Sequence, residues 1–178
     1  PERPGPIVIT SVTVNRIYIS WSEAAGIADL YEITYIPDNG IDNSPTYVAG
    51  TEYTLTGLTP VTEYSIAIKT TAGQLLSEAR QTNVYTIPTP PQSITVDQDD
   101  IGPTYARVSW QPSTGDVDEY VITYSPYITA SGPWISASPL ETSKDIVGLV
   151  NEPTYTFTIM AYSGGLQSAP VTSMAVNL

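Results

Sequence analysis

One framework of large apolar residues is written twice along this chain, about ninety residues apart. Trp21 recurs as Trp110, Tyr35 as Tyr124, Leu58 as Leu149 and Tyr64 as Tyr155, with offsets of 89, 89, 91 and 91. A near-constant offset over four such positions predicts two homologous domains in series. The boundary falls at Ile87-Pro88-Thr89-Pro90-Pro91, giving domains 1–88 and 89–178. Three prolines in four residues fix φ and remove donors, so this joint favours stiff, extended backbone.

Side chains alternate across a strand, so a period of two marks one buried and one wet face. Ile17, Ile19 and Trp21 alternate with Tyr18 and Ser20. Tyr31, Ile33 and Tyr35 follow, then Tyr64, Ile66 and Ile68. The second copy repeats the pattern with Ala106, Val108 and Trp110, with Tyr120, Ile122 and Tyr124, and with Tyr155, Phe157 and Ile159. Seven strands per copy are predicted, over 6–12, 15–22, 30–37, 45–49, 52–56, 62–71 and 75–86, then 92–98, 104–111, 118–126, 133–137, 142–147, 153–163 and 167–176. Turn chemistry supports the breaks: Pro37-Asp38-Asn39-Gly40 suits a tight turn, and Ala72-Gly73-Gln74 and Ser163-Gly164-Gly165 suit hairpins after the sixth strand. The fold class is all-β, two antiparallel sandwiches in tandem, with no helix of useful length.

Charge excludes several partners. The net charge is −12, with nine acids against four bases in residues 1–88 and nine against two in 89–178. The six Lys and Arg form no cluster, so nucleic acid, heparin-like chains and anionic membrane surfaces are poor partners. No apolar run reaches the length of a membrane span, and the Pro1–Pro6 segment reads as a linker within a longer chain. Cysteine and histidine are absent, which removes disulfides, Ser-His and Cys-His nucleophiles, and thiolate or imidazole metal sites. No cofactor and no catalytic role are expected.

With these residues in place, the chain resembles tandem fibronectin type III domains, an immunoglobulin-like fold. The features that carry the likeness are Trp21 and Trp110 on the second strand, the Tyr31-to-Tyr35 and Tyr120-to-Tyr124 runs on the third, and Gly57-Leu58 to Tyr64 and Gly148-Leu149 to Tyr155 leading into the sixth. The last tyrosine of each set is similar to the tyrosine corner, whose hydroxyl bonds upstream backbone. Together with Leu58 and Leu149, these residues form the expected structural core. Modules of tenascin and fibronectin are the most similar members. The resemblance implies an extracellular matrix or cell-surface setting and a protein partner, either a cell-surface receptor or a matrix component. Spacer modules of a secreted bacterial glycosidase are the alternative. The integrin-binding Arg-Gly-Asp of some members is missing from both hairpins after the sixth strand.

Three residues are candidate partner contacts. Asp42, in Ile41-Asp42-Asn43-Ser44-Pro45, resembles the loop acid with which some adhesion domains complete a receptor's metal coordination; an ordinary Asp/Asn/Gly turn is the favoured reading. Trp134 is read with Tyr47 as its counterpart on the short fourth strand, as exposed anchors or as edge covers. Two acidic groups, Asp97/Asp99/Asp100 and Asp116/Asp118/Glu119, are either a Ca²⁺ site or solvated turn residues.

Overall fold

The computed structural model of the protein describes residues 1–37, 44–126, 134–150 and 154–178. The chain divides into two compact units, Pro1–Ile87 and Pro88–Leu178. In the first unit, β1 (Ile7–Val12), β2 (Arg16–Trp21) and β5 (Glu52–Thr56) form a sheet in the order β1-β2-β5. The facing sheet pairs β4 (Thr46–Val48), β3 (Leu30–Ile36) and β6 (Glu63–Ala72), with β7 (Leu75–Leu76) and β8 (Arg80–Tyr85) along the other side of β6. The second unit repeats this with β13 (Ser143–Val147), β10 (Tyr105–Gln111) and β9 (Ser93–Gly102), against β12 (Ile135–Ala137), β11 (Glu119–Ser125) and β14 (Thr156–Ser163), flanked by β15 (Leu166–Gln167) and β16 (Val171–Thr172). All pairings are antiparallel.

Each unit encloses its own core. Trp21, Leu58 and Tyr64 are buried in the first with Ile17, Ile33 and Ile66, and the partly buried Tyr35 packs against them. Trp110, Leu149 and Tyr155 are buried in the second with Val108, Ile122 and Phe157, and Tyr124 packs alongside. Edge-on aromatic pairs recur: Tyr35 meets Tyr64 at 6.1 Å between centroids, and Tyr124 meets Tyr155 at 5.7 Å. The Tyr64 hydroxyl accepts the Thr59 N–H at 2.8 Å. The Tyr155 hydroxyl accepts from the Val150 N–H and donates to its carbonyl. Both corners therefore satisfy backbone groups that the crossover would otherwise leave without a partner.

The seventh strand departs from its expected single run in both units. Ser77 interrupts it between β7 and β8: its buried hydroxyl accepts the Thr70 N–H at 2.9 Å and donates to the Glu78 carbonyl. Ser168 does the same with Ala161 and Ala169. A side-chain oxygen has replaced a ladder carbonyl, so the strand breaks without losing hydrogen bonds. In the second unit a further bulge follows β16. Ser173 N–H donates to Phe157 and Val176 bridges Tyr155, which leaves Met174 and Ala175 between them where the first unit has Asn83 alone. The first strand of the second unit also runs past its predicted end at 98, because Ile101 pairs Ala106 beyond an irregularity spanning Asp97–Asp100. The change of offset from 89 to 91 arises in the turn between the fourth and fifth strands, where 138–142 replaces 49–51. The turn predicted over 37–40 lies outside the described residues except for Pro37.

Candidate functional site

The fourth strand is the free edge of its sheet in both units, and two candidate contacts belong to this edge. Across β4, β3 and β6 the register aligns Tyr47, Glu32 and Lys69 on one outward face. Glu32 is 7% exposed although it faces away from the core. Tyr47 donates its hydroxyl to Glu32 Oε2 at 2.8 Å, and Lys69 Nζ stands 3.6 Å from Oε1. The hydrogen bond to Glu32, then burial and the Glu32 charge, hold the Tyr47 hydroxyl above the ordinary phenol pKa. The Tyr47 ring is half exposed over this ion pair.

Trp134 does not occupy the matching place. By register Tyr47 opposes Glu32, and its equivalent Ser136 opposes Val121. Trp134 precedes β12 and aligns with Pro45, two residues away from the position its aromatic character implied. It is 63% exposed. In the second unit the charged row is apolar, with Val121 for Glu32 and Met160 for Lys69, both buried. Asp42 lies outside the described residues.

The acidic groups prove to hold backbone and side chains in place. Asp118 Oδ2 accepts the Gly164 N–H at 2.7 Å, and Asp29 Oδ2 accepts the Gly73 N–H at 2.6 Å in the first unit. Each thereby pins the hairpin after the sixth strand, where Gly73, Gly164 and Gly165 take positive φ as the turns require. Glu119 accepts the Ser136 hydroxyl at 2.6 Å. Asp97 accepts the Asp99 N–H. Asp100 lies 3.2 Å from Arg107, whose guanidinium also grips Asp145 through two bonds of 2.6 and 3.0 Å. Arg107 is thus the counter-cation of the irregular segment facing it. Among the described residues no three metal-ligating side chains gather, and no helix is long and apolar enough to cross a membrane. Sequence reasoning missed the Glu32–Lys69 pair and the Arg107 clamp, since both depend on strand register.

Comparison with known proteins agrees with the fold. The sequence pattern of the Fibronectin type III domain matches residues 2–84 and 89–174. Tenascin-R of Homo sapiens is 31% identical over 174 residues, which cover 97% of this chain and 13% of that protein. The Collagen alpha-1(XII) chain of Oryctolagus cuniculus is 29% identical over 182 residues, covering 99% of this chain and 28% of the other. The chain therefore spans a small part of the curated relatives it matches. The solved two-domain fibronectin type-III segment from chicken tenascin superposes with a TM-score of 0.64 at 24% identity, covering 99% of this chain and all of the other. With its duplicated tryptophan strands, tyrosine corners and paired sandwiches, the chain belongs to the fibronectin type III family.

Proposed function

We propose that the chain is a non-catalytic pair of adhesion and spacer modules from a larger extracellular matrix or cell-surface protein. The observation that carries this reading is the 31% identity to Tenascin-R across nearly the whole chain. The strand geometry supports spacing. In the first unit Gly5 N–H bonds the Ser22 carbonyl at one end of β1, and Ile87 N–H bonds the Thr13 carbonyl beyond the other. The chain therefore comes into this sandwich at one end and leaves at the opposite one, about 26 Å away for eight extended residues. A module built this way holds its neighbours apart.

Protein contact is assigned to loops and to the fourth-strand edge of each unit, with a receptor or matrix protein as the partner. Exposed Tyr47 and Trp134 are its candidate anchors, because half-exposed aromatics gain most when a partner covers them. Asp42 is a third, carried by sequence alone. The test is attachment of matrix-adherent cells to the immobilised chain. Attachment that Trp134→Ala, Tyr47→Ala or Asp42→Ala reduces supports the reading. A surface to which no cell attaches and from which no matrix protein is captured overturns the adhesive part.

A further inference from the structure

The duplication supplies an internal control for one surface trough. On the outer face of the β1-β2-β5 sheet, Thr10, Tyr18, Ser20, Glu52 and Thr54 line an open trough of about 460 Å³. Register places Tyr18 opposite Thr54 and Ser20 opposite Glu52. Glu52 and the Tyr18 ring are thus diagonal neighbours on one face, ~7–8 Å apart at their Cα atoms. In the second unit the same positions hold Arg107 for Tyr18 and Asp145 for Thr54, and a guanidinium is clamped there by Asp145 and Asp100.

We infer that the trough of the first unit receives from a partner protein the cation that the second unit supplies for itself, namely an exposed arginine side chain. Three observations carry this. On the homologous surface Asp145 and Asp100 hold the chain's own Arg107, and in the first unit, with Thr54 in place of Asp145, Glu52 is the carboxylate on that face. The Glu52 carboxylate has no hydrogen-bond or ion-pair partner among the described residues, and its unit is acidic overall. Tyr18 puts an aromatic ring in the same trough as that carboxylate, and the hydroxyls of Thr10, Ser20 and Thr54 are further acceptors for a guanidinium's five N–H donors. Arg16 stands on the same strand face but does not line the trough. Four residues, about 13 Å of strand, separate it from Ser20, the partner of Glu52, so it does not neutralise that carboxylate. The contact is independent of the strand edge described above.

The test is titration of the 178-residue chain with N-acetylarginine amide and with a short Gly-Arg-Gly-Arg-Gly peptide, followed by amide chemical shifts. Shifts confined to the strands around Tyr18, Ser20, Glu52 and Thr54, and absent around Arg107 and Asp145, are expected. Glu52→Gln should weaken the response about five-fold, the size of one exposed ion pair. The double variant Tyr18→Arg, Thr54→Asp, which copies the second unit, should abolish it and leave the fold intact. Equal shifts from the same peptide made with citrulline, which is neutral, in place of arginine, or full binding by the double variant, would each overturn the inference.

Discussion

The ring of Tyr105 packs against Gly102 across the β9–β10 hairpin, so close that a Cβ on Gly102 would stand 2.1 Å from Tyr105 Cε1 and 2.5 Å from Cδ1. The aromatic side chain covers the gap that a strand glycine leaves in the sheet surface. Gly102→Ala must therefore push the ring away. It is expected to cost about 1 kcal/mol despite alanine's lower backbone entropy in the unfolded chain. The urea midpoint of the second unit would show this. A gain in stability would mean that the ring moves aside freely.

The tyrosine corners should be separable from the packing of their rings. Tyr64→Phe keeps the ring and removes the acceptor of the Thr59 N–H. A loss of about 1–2 kcal/mol is expected, the cost of leaving a part-buried donor unsatisfied. Faster hydrogen exchange in β6 and unchanged exchange in β14 is the pattern to measure.

The outward ion pair of the first unit has an apolar counterpart in the second, which makes its contribution testable. Lys69→Met alone leaves the Glu32 carboxylate, with a side chain only 8% exposed, facing a thioether. A loss of about 1–2 kcal/mol is expected, discounted because Lys69 is 37% exposed. Glu32→Val combined with Lys69→Met installs the pair found at Val121 and Met160, and should recover most of that loss. Thermal melts of these two variants and of Glu32→Val alone, read as a mutant cycle, give the coupling.

Acid should weaken the second unit through two exposed carboxylates. The Ser138 backbone N–H, with Lys144 behind it, holds Glu141 below its ordinary pKa, and the Arg107 hydrogen bonds do the same for Asp145. A pKa depressed in the folded state means that the unfolded chain binds protons first as pH falls. Their contribution is then fully present above the unfolded values of 4.5 and 3.8, and is lost as pH drops through the lower folded values. Asp145→Asn should flatten the decline in melting temperature between about pH 5 and pH 2. An unchanged slope would remove the Arg107 clamp as its cause.

The architecture could be read in advance because the inward positions repeat at fixed spacing and alternate strictly. Trp21, Tyr64, Trp110 and Tyr155 announce a sandwich before any coordinate is known. What stayed hidden depends on which residue faces which across strands. Trp134 looked like the partner of Tyr47 because both are aromatic, yet the turn lengths put Ser136 there. Glu32 alternates with the inward Tyr31 and Ile33, which marks a wet-face position, and its burial comes from Tyr47 and Lys69 converging from other strands. Asp118 read as part of an acidic run, while its task of pinning Gly164 spans 46 residues of sequence. Ser77 and Ser168 gave no signal, since a hydroxyl standing in for a carbonyl leaves no mark on hydrophobic periodicity.

In the first unit β1 and β8 run in the same direction along the sandwich, with Arg80 Nε bonded to the Pro4 carbonyl near their beginnings and Ile87 bonded to Thr13 near their finish. Tension applied through the polypeptide on either side would pull these two outer strands lengthwise in opposite senses. The load then falls as shear on the whole β1–β2 and β6–β8 ladders together, instead of peeling them one rung at a time. Such a module yields abruptly under stretch, and only when many bonds rupture at once.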